Sequence, residues 1–211
     1  MTSSNDRAVL ARVAWLAPLG PAALAAIAVA SRRLALARGA SLWRRGDRTD
    51  AVAVIVQGRV DVLRYTARGE RMILRSLGPG ASAGFSALGG AAHSADLAAA
   101  ENSTVLVIPG RALRDAIRRD PALALRALAE QGETIGRLTD EMEELRFLDL
   151  DERLVRLLRR RAQGLREFTA THDELAQQAG ATRENVSRAL KRMERRGKIV
   201  CHRGRIEIRE L

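Results

Sequence analysis

The stretch that most constrains the fold runs from residue 171 to residue 200 and reads THDELAQQAGATRENVSRALKRMERRGKIV. Ala176, Gly180 and Val186 occupy the positions at which a helix-turn-helix needs a small residue in its first helix, a glycine at the turn and an apolar residue in its second helix. We therefore expect two helices joined by a tight turn in this part of the chain.

Both predicted helices begin with a capping signal. Thr171 is followed three residues later by Glu174, a capping box in which each side chain accepts a hydrogen bond from the backbone of the other residue. The first helix is therefore expected to run from His172 to about Ala179. Thr182 is the expected cap of the second helix.

The second helix, predicted to begin at Arg183 and called the recognition helix below, has an apolar face and a polar face. The apolar face carries Val186, Leu190 and Met193, and the polar face carries Arg183, Glu184, Ser187, Arg188 and Lys191. Arginine forks match the paired acceptors of guanine, a carboxylate accepts from the cytosine amino group, and a serine hydroxyl suits several base edges. We expect this face to enter the major groove of DNA. The competing interpretation is a solvated charged face.

Beyond the recognition helix, the chain is predicted to close as a wing. Residues 198–208 read as two strands around Arg203-Gly204, and they add Lys198 and Arg203 as contacts to DNA phosphates. Thr182 is also counted among the expected DNA-binding residues.

Basic residues are concentrated in the same region. The formal net charge is +11, and between Arg183 and Arg205 nine Lys or Arg residues face two acidic ones, Glu184 and Glu194. Such a density favours a polyanionic partner through the release of condensed counterions.

The single cysteine and the apolar runs exclude several classes of protein. Cys201 alone cannot form an intramolecular disulfide or an all-cysteine metal site within one chain. The run Ala22–Ala30 is too short to cross a bilayer and lacks a signal-peptide layout, so we interpret it as a packed N-terminal helix. We expect a cytoplasmic protein with no membrane partner.

The region from about Ala40 to Pro109 changes to the period of β-strands. Short runs rich in branched residues cover 52–56, 60–65, 72–74 and 104–108. Turn signals separate them at Gly46-Asp47, Gln57-Gly58, Arg68-Gly69-Glu70, Gly78-Pro79-Gly80 and Gly89-Gly90. Many short strands with glycine turns predict a barrel or sandwich. The glycine-rich piece 78–94 suits a phosphate cradle, and turn chemistry explains its glycines equally well.

After Pro121 the pattern becomes helical. A heptad seam with one polar position consists of Leu128, Gln131, Ile135, Leu138, Met142 and Leu145. It predicts a parallel homodimer; the alternative is that the seam packs on the barrel of its own chain. The seam breaks at 147–150, where Asp149 is a candidate cap and we expect a hinge, and Leu154, Leu157 and Leu158 begin the helix that supports the helix-turn-helix.

Over essentially the whole chain, this order of elements resembles the CRP/FNR family of bacterial transcription regulators. The Gly46-Asp47 and Gln57-Gly58 pair resembles the signature of the family's cyclic-nucleotide-binding β-roll, and Phe147-Leu148-Asp149 resembles the hinge of its cyclic-AMP-responsive members. The resemblance implies an α+β protein. It has a double-stranded β-helix (jelly-roll-like) sensor domain with an N-terminal helix over 1–120, a dimerisation helix over 121–148 and a winged helix-turn-helix over 149–211.

The resemblance also implies a function. The protein is expected to be a sequence-specific regulator that binds an inverted repeat in promoter DNA as a homodimer, with RNA polymerase as a candidate partner. The recognition helix is similar to both main branches: Glu184, Ser187 and Arg188 match the FNR type, while Arg183, Glu184 and Arg188 match the CRP type. The half-site is accordingly expected to resemble TGTGA or TTGAT.

Departures from the family pattern fall in the expected effector site. Cyclic-nucleotide-binding members have a glutamate after a glycine and an arginine before a serine or threonine, but here the positions read Gly84-Phe85 and His93-Ser94. A phenyl ring removes the ribose acceptor, and a mostly neutral imidazole removes the phosphate clamp. The base-contacting pair of the dimer helix corresponds to Leu138-Thr139. We expect poor binding of cyclic AMP, and the N-terminal cysteines of FNR-type oxygen sensors are absent.

Three hypotheses for control remain open. In the first, side chains fill the pocket, with Phe85 as a plug, and the protein binds DNA constitutively or is controlled by its abundance. In the second, haem or another apolar ligand occupies the roll, with His93 or Met72 as an axial ligand, giving a gas- or redox-sensing regulator. In the third, Cys201 responds to oxidation because nearby cationic groups favour its thiolate; the alternative is a buried, inert thiol.

A different class of function uses a similar scaffold. Metal-dependent cupin enzymes need two or three histidines and a carboxylate inside the barrel. Only His93 lies in the β region, whereas His172 and His202 lie elsewhere, so we predict no metal site. No nucleophile–base arrangement is apparent, and the chain is not expected to be an enzyme or to have catalytic residues.

Overall fold

The structure is a computed structural model, and it describes residues 2–66, 69, 71–162 and 164–210. These residues divide into two compact units. The first runs to Tyr65 and resumes over Ile73–Thr134, and the second comprises the residues from Ile135 onward and those described between Thr66 and Met72. Of the predicted turn Arg68-Gly69-Glu70, Arg68 and Glu70 lie outside the described residues.

The first unit is built from short helices and short strands. Their bounds are α1 Thr2–Leu10, α2 Pro21–Ala30, β1 Arg32–Leu36, β2 Ser41–Trp43, β3 Ala51–Gln57, β4 Val60–Tyr65, β5 Arg71–Leu77, β6 Ser82–Ala83, α3 Phe85–Leu88, β7 Asp96–Ala99, β8 Ser103–Pro109 and α4 Gly110–Arg119. In the described part of the chain these strands form one sheet in the order β1-β8-β3-β6 and another in the order β2-β7-β4-β5. The mixed α+β fold and the N-terminal β-roll predicted from the sequence are confirmed.

Strand β3 connects two hydrophobic cores because its alternate side chains face opposite ways. Ala53 and Ile55 pack between the two sheets with Val60, Leu77, Leu97 and Val105. Val52 and Val54 face the other way and pack with the N-terminal helices and with Leu113 of α4. All five residues from Ala51 to Ile55 are buried, which explains why this strand reads as a continuous apolar run.

The four predicted strand runs correspond to β3, β4, β5 and β8. The sheets begin earlier than predicted, at Arg32 rather than near residue 40, and β1, β2, β6 and β7 were not predicted. β1 begins with two arginines and is only partly buried, and β7 is rich in alanine, which has low β-propensity. The predicted helix at 22–30 is confirmed as α2.

The long helix α5 covers Ala122–Phe147, as the periodicity after Pro121 predicts. Its apolar seam is exposed in the single chain: Leu128, Ile135, Leu138, Met142 and Leu145 all retain substantial solvent exposure, and Ile135 is 64% exposed. Whether the seam forms a homodimer interface or packs on the barrel of its own chain stays a prediction. Among the described residues, no helix is both long and apolar enough to cross a membrane.

The second unit contains the winged helix-turn-helix. Its elements after α5 are α6 Leu150–Ala162, β9 Glu167–Thr169, α7 His172–Ala179, α8 Arg183–Arg195, β10 Ile199–His202 and β11 Arg205–Ile208. The core gathers apolar side chains from α6, α7, α8 and the strands, including Leu158, Leu175 and Leu190. The two predicted wing strands are confirmed as β10 and β11; β9, which pairs with β11, was not predicted.

The junction between α5 and α6 is fixed by polar contacts. The backbone N–H of Glu152 donates to Asp149 Oδ1 over 2.9 Å, and the N–H of Asp149 donates to Glu152 Oε2 over 3.0 Å. Asp149 is therefore the N-cap of α6, as predicted. Glu144, near the end of α5, accepts from Arg160 at 2.8 Å and from Arg156 at 3.3 Å. That this junction acts as a hinge stays a prediction.

Helix α7 has the predicted capping box. Thr171 Oγ1 accepts from the N–H of Glu174 over 3.2 Å, and Glu174 Oε2 accepts from the N–H of Thr171 over 3.1 Å. The helix ends at Gly180, whose positive φ of 61° places it in the left-handed region that glycine adopts without strain. These local signals fix both ends of the first helix of the motif.

We predict that Thr171→Ala destabilises the winged helix-turn-helix by about 1 kcal/mol, because the N–H of Glu174 loses its partner. Urea unfolding followed by circular dichroism measures the change. Thr171→Ser keeps the hydroxyl and is the matched control. An equal loss in both variants would contradict the assigned role of the hydroxyl.

Candidate DNA-binding surface and effector site

The recognition helix is α8, and its start and register agree with the sequence prediction. Thr182 Oγ1 accepts from the N–H of Asn185 over 3.3 Å, which confirms Thr182 as the cap. Val186, Leu190 and Met193 are buried, so the predicted apolar face packs on the core of the second unit. The opposite face is consequently presented to solvent.

Two side chains of opposite charge dominate the exposed face. Glu184 is 81% exposed and Arg188 is 63% exposed, and Arg188 Nη2 lies 3.6 Å from Glu184 Oε1. The same Nη2 donates to Asn185 Oδ1 over 2.7 Å. Asn185 was not among the predicted site residues, although its spacing of three from Arg188 would place both on one face. It holds the guanidinium at the N-terminal end of the helix.

Ser187 is half-buried, unlike its charged neighbours. Its Oγ lies 2.9 Å from Nδ1 of His172, the first residue of α7. No sequence signal pairs these two residues, because they lie on different helices. The structure thus brings a histidine next to one of the expected base-contacting groups.

The remaining basic residues divide into solvent-exposed and internally paired ones. Arg183, Lys191 and Arg203 are exposed, and Lys198 is half-buried beside the wing. Arg192 Nε instead donates to Asp151 Oδ2 over 3.1 Å, a bond that raises the pKa of the guanidinium. Some of the cations counted in the sequence therefore stabilise the domain itself.

Cys201 does not have the environment that the redox hypothesis needs. Burial, and secondly the charge of Glu194, raise the pKa of its thiol. The N–H of Cys201 donates to Glu194 Oε1 over 2.8 Å, which keeps this carboxylate close. The expectation that cationic groups favour the thiolate is wrong, whereas the inertness of this half-buried thiol stays a prediction.

In the β-roll, Gly84 and His93 meet on the indole of Trp43. The rings of Trp43 and His93 stack with centroids 4.4 Å apart and planes inclined by 10°. A Cβ atom built on Gly84 would lie 2.6 Å from Cζ3 of Trp43 and 2.8 Å from the carbonyl oxygen of Ala51. Gly84 also has a φ of +100°, so both its conformation and its surroundings require glycine.

His93 is held on several sides and is only 6% exposed. Its Nε2 lies 2.5 Å from Thr49 Oγ1, its N–H donates to the carbonyl of Asp47, and its carbonyl accepts from Gly46. Burial lowers the pKa of His93, with the negative charge of Asp47 acting in the opposite direction. The ring is therefore neutral at neutral pH and cannot replace an arginine as an anion clamp.

Phe85 does not plug the interior of the roll, so this expectation is wrong. Its ring packs on Trp15, with centroids 5.1 Å apart and planes at 64°, in the core that the N-terminal helices cover. Trp15 Nε1 donates to Ser82 Oγ over 3.0 Å and is fixed there. The side chain that occupies the space between Gly84 and His93 is Trp43, which was not among the predicted site residues.

The other predicted effector residues have ordinary local environments. Ser94 is exposed, and Leu138 and Thr139 lie on α5, where the Thr139 hydroxyl donates to the carbonyl of Ile135 over 3.0 Å. Met72, on β5, is partly exposed. Among the described residues, no group of three or more His, Cys, Asp or Glu side chains is placed to hold a metal ion.

Similarity to known proteins identifies the family. Residues 33–120 match the model of the cyclic nucleotide-binding domain, and residues 152–211 match that of the Crp-like helix-turn-helix domain. The cyclic AMP receptor protein of Thermus thermophilus is 31% identical over 179 residues, which are 82% of this chain and 82% of that protein. The chain belongs to the CRP/FNR family of transcription regulators.

Further members of the CRP/FNR family match in sequence or in fold. The CRP-like cAMP-activated global transcriptional regulator of Mycobacterium tuberculosis is 28% identical over 205 residues, 90% of this chain and 89% of its own. The c-di-GMP responsive global regulator CLP of Xanthomonas campestris superposes with a TM-score of 0.77 at 18% identity, covering 91% of this chain and all of that one. The latter likeness concerns the fold alone.

As a CRP/FNR regulator, the chain combines a helix-turn-helix DNA-binding domain with a cyclic nucleotide-binding domain. In the cyclic nucleotide-binding domain, the residues expected from the sequence in place of the family's carboxylate and arginine are Phe85 and His93. The former is directed to Trp15 and the latter is stacked on Trp43. Neither side chain supplies a charged group to the inside of the roll.

We predict that Gly84→Ala destabilises the protein by about 2–6 kcal/mol, because a left-handed conformation and a collision with Trp43 each cost about 1–3 kcal/mol. Gly80→Ala is the matched control: Gly80 also has a positive φ, +86°, but an added Cβ meets nothing within 4 Å. Thermal unfolding measures both. Equal destabilisation would show that the Trp43 contact contributes nothing.

Proposed function

We propose that this regulator binds an inverted repeat in promoter DNA as a homodimer, without a requirement for cyclic AMP. The observation that carries the proposal is the exposed face of the recognition helix, where Arg188 and Glu184 project from a helix-turn-helix whose two caps and buried stripe are all formed. A surface with an arginine fork and a carboxylate on one helical face is suited to reading base edges.

In this proposal, each exposed residue has a distinct role at the DNA. Arg188 donates as a fork to guanine, and Glu184 accepts from cytosine, at the G·C pair common to TGTGA and TTGAT. Arg183 and Ser187 read the base pair that differs between the two sequences. Lys198 and Arg203 contact phosphates from the wing, and Thr182 and Lys191 lie at the edge of the same surface.

The long helix α5 supports the dimer. Its 26 residues give a length of about 39 Å, and its exposed seam alternates spacings of three and four. Burying that seam against a second copy removes apolar side chains from water and leaves Gln131 as the polar position that selects the register. Two recognition helices related by a twofold axis would meet half-sites centred about 34 Å apart.

The filled effector site supports control that does not depend on cyclic AMP. A cyclic phosphate needs a cation or several donors, but between Gly84 and His93 it would meet the Trp43 indole and a neutral imidazole. Displacing the indole would cost its stacking and its burial, because Trp43 is almost completely buried. DNA binding is accordingly set by the abundance of the protein or by a ligand of different chemistry.

We predict that Arg188→Ala lowers affinity for the selected half-site about tenfold to a hundredfold and relaxes the preference at one base pair, because a bidentate contact contributes about 1–3 kcal/mol. Selection of DNA from a random pool, followed by fluorescence anisotropy, measures both quantities. Lys198→Ala is the control: it should lower the affinity for all DNA sequences alike and reduce the salt dependence of binding. Equal weakening of specific and random DNA by Arg188→Ala would contradict the reading role.

We also predict that Ile135→Asp converts the dimer into monomers, because the dimer would bury a carboxylate without a partner. The substitution should not unfold the chain, since Ile135 is exposed in the single chain. Sedimentation velocity measures the assembly. Val29→Asp, at an equally exposed position on α2, is the matched control and should leave the dimer intact. An unchanged sedimentation coefficient for Ile135→Asp would contradict the seam as the interface.

A further inference from the structure

A side-chain contact joins the two helices of the helix-turn-helix at the expected DNA surface. His172 is the first residue of α7, and Ser187 lies one turn into α8. The ring nitrogen Nδ1 of His172 and the hydroxyl oxygen of Ser187 are 2.9 Å apart, and both side chains are half-buried. The distance is that of a good hydrogen bond.

The position of His172 is itself well fixed. It follows Thr171, whose side chain and backbone are both engaged in the capping box with Glu174. On the other side, Ser187 follows Val186, which is fully buried and anchors α8 in the core. Two rigid helical segments therefore hold the imidazole and the hydroxyl together, and the bond does not depend on a mobile loop.

The bond changes what the serine can offer to a base. A free serine hydroxyl rotates and can donate one hydrogen bond or accept others, so it tolerates several base edges. When Nδ1 carries the proton, it donates to Ser187 and leaves the hydroxyl proton for a base acceptor. When Nδ1 has the lone pair, the hydroxyl donates to the ring and can only accept from a base amino group.

We propose that His172 is a specificity-determining residue, which acts by positioning the Ser187 hydroxyl so that it reads one kind of base edge. The inference rests on the proposed function, because it requires Ser187 to face a base pair. His172 acts through Ser187 and needs no contact of its own with a base. Arg188 is held separately by Asn185 and Glu184, so its base pair is read independently of the imidazole.

The test uses the full-length protein and selection of bound DNA from a random pool at fixed salt. His172→Phe keeps a ring of similar size at the helix start but has no ring nitrogen. Because this variant loses the hydrogen bond to Ser187, its preference at the base pair read by Ser187 should fall by about twofold to tenfold. The preference that remains should equal that of Ser187→Ala. The preference at the base pair read by Arg188 should not change.

Two further variants separate positioning from a general structural effect. His172→Asn places an amide group close to the position of Nδ1 and should restore part of the preference. The double variant of His172→Phe and Ser187→Ala should match Ser187→Ala alone, because the two residues act through one bond. Circular dichroism checks that each variant keeps its fold.

The outcomes distinguish this inference from the proposed function. If the wild type selects a half-site but His172→Phe leaves its preferences unchanged, or weakens every position alike, the positioning role is wrong and the DNA-binding proposal stands. If the double variant loses as much base preference as the two single variants lose together, the two residues act separately and the inference is again wrong. A wild type that selects no sequence would overturn both proposals.

Discussion

The packing of Trp43 between Gly84 and His93 is the constraint on which the interpretation of the sensor depends. In the function that we propose, an indole stacked on a neutral, buried imidazole removes from the site both the space and the charge that an anionic effector needs. The same packing explains two residue identities. A larger residue than Gly84 would collide with the indole, and Thr49 supplies a hydrogen-bond partner for the His93 ring. The β-roll therefore keeps the fold of a nucleotide sensor with a different interior.

The helix-turn-helix could be predicted almost completely from the sequence because the signals that form it are local. Thr171 with Glu174, Thr182, and the turn at Gly180 fix the helix ends within a few residues, and the 3.6-residue period assigns Val186 and Leu190 to the core. Because these residues define the buried face of the recognition helix, the opposite face is the exposed one. What the sequence could not show were contacts between helices, such as His172 with Ser187.

The effector site was predicted less well for a physical reason. The departures at Phe85 and His93 are visible in the sequence, but Trp43, which packs against Gly84 and His93, lies on β2, far from both in the chain. Which side chain turns inward depends on the pairing of β2 with β7, a short strand whose alanines give little β-signal. The sequence therefore does not reveal that Phe85 packs on Trp15 and that Trp43 is the ring stacked on His93.

The account is tested most directly by the response of DNA binding to cyclic AMP. Fluorescence anisotropy of a selected operator, titrated with the protein in the absence and in the presence of millimolar cyclic AMP, should give the same dissociation constant, and calorimetry of the same samples should show no binding heat. A tighter complex in the presence of cyclic AMP, with one molecule bound per chain at micromolar concentration, would contradict the claim that Trp43 closes the nucleotide site.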